Sequence, residues 1–302
     1  MLVFPHLIAV LQALLVTFLW STSFIIIKWG LLEIPPITFA GLRYVIAFVC
    51  FVPFILTRKH LEEIKRLTTH QWKKLVMLGL VFYTVTQGAQ FLGLSLLPAV
   101  TVSLILNLTP LFVAIGGIFL LEERPTLLQW TGVSLFIIGM IAYFYPVVLT
   151  GNEAWGLVIM TVGVLANSWA SVLGRDINRN RNISPLVVTL VSMGIGSALL
   201  LIIGLTTEGL PSVSPRSFMY LIWLAVINTA FAFTLWNVTL RTLTAMESSI
   251  INGTMLIQIA ILAWVFIGEK ITPIEGTGIV IAAVGAVLVQ MRRNRLPRSH
   301  SD

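Results

Sequence analysis

Residues 98–139 read PAVTVSLILNLTPLFVAIGGIFLLEERPTLLQWTGVSLFIIG, and residues 244–285 read TAMESSIINGTMLIQIAILAWVFIGEKITPIEGTGIVIAAVG. At an offset of 146 residues, Glu123-Arg124 falls on Glu269-Lys270, Thr126 on Thr272, Thr131 on Thr277, Gly132 on Gly278 and Gly139 on Gly285. Ala99 falls on Ala245 and Ser103 on Ser249 in the same register. In both copies a long apolar stretch ends in a short charged turn, and a second apolar stretch follows. Chance identity among apolar residues is common, but a shared Glu-basic turn followed by matched glycines is not. The chain is read as a duplication.

The rest of the sequence places that duplication in a membrane. Of 302 residues, 57% are hydrophobic and only 10% charged, and the mean hydropathy is +0.96. A soluble domain carries about 25% charged residues to cover its surface; lipid removes that need. A bilayer core is crossed by about 20 apolar residues in a helix. Ten stretches qualify: 7–27, 36–57, 74–94, 98–121, 127–147, 154–174, 185–205, 217–239, 245–267 and 274–291. Only the link 58–73 has room for more structure, an interfacial helix. The first stretch lacks the basic n-region and small-residue cleavage site of a signal peptide, so it is read as a retained helix. Cys50, the single cysteine, excludes an intrachain disulfide.

Charge sets the orientation. With the amino terminus inside, the cytoplasmic links hold Arg58, Lys59, Lys65, Arg66, Lys73, Lys74, Arg124, Arg175, Arg179, Arg181 and Arg241, and the tail adds Arg292, Arg293, Arg295 and Arg298. The outer side holds only Lys28, Arg216 and Lys270. This bias places both termini in the cytoplasm. The same clustering between apolar runs excludes nucleic acid as the reason for the net charge of +7. The expected fold is all-α and integral to the membrane, with ten transmembrane helices in two five-helix repeats around a central cavity. Residues 1–150 form the first repeat, 151–292 the second, and 293–302 a basic cytoplasmic tail. Five is odd, so the repeats are inverted relative to each other. Such halves can rock about a midplane site and expose it alternately, which points to a secondary transporter.

Further segments resemble a known family. Leu19-Trp20-Ser21-Thr22-Ser23-Phe24-Ile25-Ile26-Ile27-Lys28, Pro36-Ile37-Thr38-Phe39-Ala40-Gly41-Leu42-Arg43-Tyr44, Leu121-Glu122-Glu123-Arg124 and Ile267-Gly268-Glu269-Lys270-Ile271-Thr272 stand in the order and spacing of the EamA-type members of the drug/metabolite transporter superfamily. The resemblance implies a ten-helix inverted repeat, a central cavity and movement of small organic metabolites or drugs, often by export from a bacterial cell across its inner membrane. One departure concerns the fourth helix, where Pro110 follows Asn107-Leu108-Thr109. Its counterpart in the ninth is Leu256, so a kink there would come from Gly253 or be absent.

Candidate cavity residues follow from polar or aromatic side chains inside apolar stretches. Arg43 stands inside the second helix, either as a contact for an anionic group or as an anchor snorkelling to outer headgroups. Lys28 ends the first helix, where snorkelling or a pair with Glu33 accounts for it. Tyr83, Gln87 and Gln90 share a face of the third helix, Ser103 and Asn107 one of the fourth, and Ser248 and Asn252 one of the ninth. Trp20 and Trp169 are counterparts in the first and sixth helices, and Trp236 and Asn237 fall late in the eighth. The aromatic side chains could sandwich apolar or cationic parts of a substrate. The glycines of the fifth and tenth helices are read as a surface for close helix contact.

Expected partners are a small-molecule substrate and the lipid bilayer, with a homodimer left open. No embedded His or Asp, no His-Glu-x-x-His and no Gly-x-Ser-x-Gly occurs, so no catalytic residue, metal or cofactor is expected, nor an enzyme. A channel or receptor is the alternative class, with a membrane-embedded enzyme behind it.

Overall fold

The computed structural model describes residues 3–55, 57–113, 126–145, 151–179, 183–239, 242–243 and 251–290. Every regular element among them is helical: α1 (Val3–Gly30), α2 (Pro36–Ile55), α3 (Arg58–Lys65), α4 (Thr69–Leu78), α5 (Gln87–Leu96), α6 (Ala99–Leu106), α7 (Leu127–Phe144), α8 (Gly151–Arg179), α9 (Pro185–Thr207), α10 (Pro215–Ala225), α11 (Ala232–Thr239), α12 (Met255–Ile267) and α13 (Pro273–Gln290). A π-helical segment, Gly79–Thr86, joins α4 to α5, and another, Val226–Phe231, joins α10 to α11. Among the described residues seven continuous spans are long and apolar enough to cross a membrane, and three shorter apolar helices accompany them (Ala99–Val113, Ile251–Ile267 and Pro273–Val289). Helix α3 occupies the one long link and buries none of its side chains.

Helix ends obey local chemistry, and several repeat across the chain. Thr126 caps α7 in a reciprocal capping box with Gln129, and Thr272 and Glu275 do the same at α13, with Thr272 N donating to Glu275 Oε2 at 2.6 Å. Those pairs are 146 residues apart. Thr68 caps α4 and Ser214 caps α10, again 146 apart. Gly268 closes α12 at φ 72°, a left-handed turn that favours glycine.

Between helices in lipid there is no hydrophobic drive, so association rests on close packing and interhelical hydrogen bonds. The α7–α13 crossing shows the first. A Cβ placed on Gly132 would stand 2.8 Å from the Gly285 carbonyl oxygen, and one on Gly139 would stand 2.6 Å from that of Gly278. As one register number rises the other falls, so these matched helices run antiparallel. Helices α2 and α9 also pack on each other, and α6 packs on α12. The aromatic pair Phe39 and Phe91, both fully buried, meets edge to face at 5.3 Å within the principal core.

The outer surface is apolar where lipid would touch it. On α8, Trp155, Val158, Val162, Leu165 and Trp169 follow helical spacing and are all exposed. Trp169, at 62% exposure, stands on this outward stripe and not in the interior expected from its counterpart Trp20. The two helices correspond in sequence, yet this face of α8 is exposed.

Candidate functional site

Regular helix is interrupted at matched places in the two halves. The offset carries Gly79–Thr86 to 225–232, which encloses the second π segment, Val226–Phe231. A π turn adds a residue and rotates the side chains beyond it, and such turns gather at functional sites. Hydroxyls steady both: Thr86 Oγ1 donates to Val81 O at 2.9 Å, and Thr229 Oγ1 to Leu224 O at 2.8 Å.

The fourth and ninth helices break in register as well. Leu108 N donates to Ile105 O at 3.0 Å, and 146 residues on Thr254 N donates to Ile251 O at 3.1 Å. The ninth helix makes the same turn without a proline.

Between these irregular segments lies a buried polar cluster. Arg43 is 5% exposed and points inward; it does not snorkel. Its Nε donates to Thr229 Oγ1 at 3.2 Å, a bond from the first half to the second. The Tyr44 ring lies 5.2 Å and the Phe91 ring 5.9 Å from the guanidinium carbon. The Tyr44 hydroxyl donates to Gln87 Oε1 at 2.6 Å, and the Tyr44 and Tyr83 rings meet edge to face at 5.6 Å. Arg43, Tyr83 and Gln87 are thus brought together on α2 and the third span.

A second polar seam joins α1 to the other half. Asn228, fully buried, donates through Nδ2 to Leu19 O, to Thr22 Oγ1 at 3.1 Å and to Ser23 Oγ at 2.8 Å. Among the described residues its Oδ1 is buried without a partner, as is Trp20 Nε1. Trp20 packs against Phe233 at 5.2 Å and Trp236 at 5.3 Å. On α12, Gln258 accepts from Ser21 Oγ at 3.0 Å and donates to Thr254 Oγ1 at 2.8 Å.

The remaining candidates are more dispersed. Gln90 is half-buried one turn beyond Gln87, Ser103 is buried, and Asn107 at the helix break donates to Ser103 O at 2.9 Å. Asn252 is half-buried beside the ninth-helix turn. Ser248 and the side chain of Asn237 lie outside the described residues. Among the described residues Lys28 does not pair with Glu33: its Nζ donates to Leu97 O at 2.7 Å. The carboxylate beside it is Glu269, which accepts from Ala99 N at 2.7 Å at the start of α6. Glu33 instead accepts from Ser214 N at 3.3 Å. Sequence reasoning missed Tyr44, Asn228, Thr229 and Gln258. Asn228 and Gln258 carried a signal, since each is an amide inside an apolar helix.

Carboxylates also tie α2 to α9 at both ends. Glu208, just past α9, accepts from Thr38 N at 2.8 Å in the first turn of α2. Glu63, on α3 just past α2, accepts from Ser184 N at the cap of α9. Each helix start is held by an acid lying beyond the end of the other, which satisfies orphan N–H donors and suits the helix dipole.

A duplicated helical chain with a lipid-suited surface, an antiparallel crossing of matched helices and polar bonds between its halves defines a multi-pass membrane protein of the two-repeat transporter class. The chain belongs to the EamA-like transporter family, whose profile matches residues 7–145 and again 154–291. It is 24% identical over 298 residues to an uncharacterized transporter of Archaeoglobus fulgidus, covering 96% of this chain and 98% of that one. It is 24% identical over 279 residues to an S-adenosylmethionine/S-adenosylhomocysteine transporter of Chlamydia trachomatis (88% and 84% covered). It is 22% identical over 283 residues to an uncharacterized inner membrane transporter, YedA, of Escherichia coli (92% and 89%). A crystal structure 19% identical in sequence superimposes with a TM-score of 0.67 over 93% of this chain and 96% of that one, which shows the shared fold.

Proposed function

We propose that this protein is a secondary transporter that exports small organic metabolites or drugs from the cell by alternating access, without ATP. Ten crossings form two inverted five-helix halves, with both termini cytoplasmic, in a bacterial inner membrane. The observation that carries the reading is the bond from Arg43 to Thr229, because it sets a buried charge at the contact between the halves. Polar side chains inside a bilayer are costly and mark pathways or sites. Matched irregular segments beside that contact supply the discontinuous helices that transporter sites use.

The cargo meets Arg43, Tyr83, Gln87 and Gln90 from one side and Trp20 and Trp236 from another, with Ser103, Asn107 and Asn252 along the fourth and ninth helices. Asn237 and Ser248 are kept as candidates from sequence. Trp169 is assigned to the lipid face. The Chlamydia relative, named for two adenosyl amino acids, supports an organic metabolite as the cargo class.

The test compares metabolites in medium and cytosol of cells overproducing the protein with cells carrying Arg43→Ala. One solute class accumulating outside only with the intact protein is the expected result. Equal export by both versions would remove Arg43 from the pathway, and no saturable flux of any solute in proteoliposomes would end the transporter reading.

A further inference from the structure

We propose that α3 and the basic residues beside it form a docking surface for the headgroups of acidic phospholipids. Two residues join α3 to the end of α2 and three join it to the start of α4, and the helices on either side belong to membrane spans. Links that short hold α3 at the depth of the lipid headgroups. Phe54 and Trp72, at the two span ends, are both exposed, and a tryptophan suits that depth.

One face of α3 is bonded to the protein. Glu63 accepts from Ser184 N, His60 Nδ1 lies 3.5 Å from Ser184 Oγ, and Ile64 packs against a buried apolar cluster. At about 100° per residue, the opposite arc runs Leu61, Lys65, Arg58, Glu62, Arg66, Lys59, and all of these are exposed. Four cations share that arc with one acid, Glu62, which pairs with Arg66 at 3.7 Å. Arg58, Lys59 and Lys65 have no acid partner among the described residues. Exposed Lys73 carries the charge on to α4, whereas Lys74 is engaged by Asp176 of α8. The charge bias that orients a span asks only that cations lie in the link. Here they gather on the face turned away from the protein, with Leu61 at its edge. A helix lying on a membrane surface has that form, with an apolar edge for the acyl boundary and cations for the headgroup phosphates. The bonded face ties α3 to α9, and the Lys74 pair ties α4 to α8, so a headgroup on the outer arc braces the first half against the second.

The experiment uses the full-length protein, reconstituted in vesicles of phosphatidylcholine and phosphatidylglycerol and extracted again in detergent. The lipids it retains are counted by native mass spectrometry. The expected result is retention of phosphatidylglycerol over phosphatidylcholine beyond their ratio in the vesicle. Each basic residue at an acidic membrane surface raises occupancy by about fivefold. The triple variant Arg58→Gln, Lys59→Gln, Lys65→Gln should therefore lower the preference at least about tenfold. Arg58→Lys, Lys59→Arg, Lys65→Arg should keep it, because the charge recognises the headgroup. Arg216→Gln with Lys270→Gln, which neutralises exposed cations elsewhere, should also keep it. No preference in the unmutated protein, or a preference that survives the triple Gln variant, overturns the proposal. Loss of the preference in either of the other two variants also overturns it. Displacement of bound phosphatidylglycerol by inorganic phosphate, but not by sodium chloride of equal ionic strength, would make the occupant a free phosphate and overturn it too. The unmutated protein tests the preference by itself, even if the triple Gln variant does not fold.

Discussion

Gly139 and Gly278 approach each other reciprocally: a Cβ on either would stand 2.6 Å from the carbonyl oxygen of the other. Neither is the other's repeat counterpart; Gly139 corresponds to Gly285 and Gly278 to Gly132, which form the companion contact. Residue i meets the counterpart of j while j meets the counterpart of i, the signature of a two-fold relation, here within one chain.

Substitution at this crossing is costly because the neighbouring atoms are backbone and cannot rotate away. Gly139→Ala or Gly278→Ala is expected to destabilise the protein by roughly 1–3 kcal/mol through overpacking. Thermal unfolding of the purified protein in detergent checks this; unchanged midpoints in both variants would mean that α7 and α13 do not touch as described.

Thr229 is the only contact of Arg43 Nε among the described residues. Thr229→Val keeps the shape and removes the hydroxyl, and hydrogen bonds to charged groups contribute about 1.5–3 kcal/mol. Transport efficiency in proteoliposomes is expected to fall by about ten- to a hundredfold, with little change in the amount of folded protein. Wild-type flux in this variant would place the Arg43–Thr229 contact outside the transport cycle.

Glu63 gives the fold an acid-sensitive tie outside the membrane spans. Burial raises its pKa, but the Ser184 backbone N–H, the Ser184 hydroxyl and His60 together outweigh this and hold the carboxyl below its ordinary value of 4.5. A depressed folded value gives stability that is present above the ordinary pKa and is lost as pH falls through the folded one. Acidification below 4.5 should therefore lower the unfolding midpoint of the native protein more than that of Glu63→Gln. Parallel acid limbs would show that the tie to Ser184 contributes nothing.

Orientation can be read with thiol labels, because Cys50 is the single native cysteine. In a Cys50→Ala background, a cysteine replacing Lys270 should react with an impermeant maleimide added to intact cells, and one replacing Lys73 only after the membrane is opened. The opposite pattern would invert the proposed topology.

Much of this protein was legible without coordinates. Lipid forces apolar composition over whole helices, charge gathers in the links, and the Glu-basic turns with their glycines repeat at a fixed offset. Those signals are local or periodic, so the helical membrane class, the duplication and a glycine surface for close helix contact could be read from residues alone. The burial of Arg43 could not, because a charge one or two turns into a helix can reach headgroups or turn inward, and α9 and the second π segment decide which. Trp20 and Trp169 show the same limit: they match in sequence, yet one packs against Trp236 and the other faces outward. Lys28 found Leu97, and Gln258 found Ser21, across intervals that no periodicity encodes. What a helix is made of sets that it spans; which of its polar groups meet depends on neighbours from the other half, and only the packed structure brings them within bonding distance.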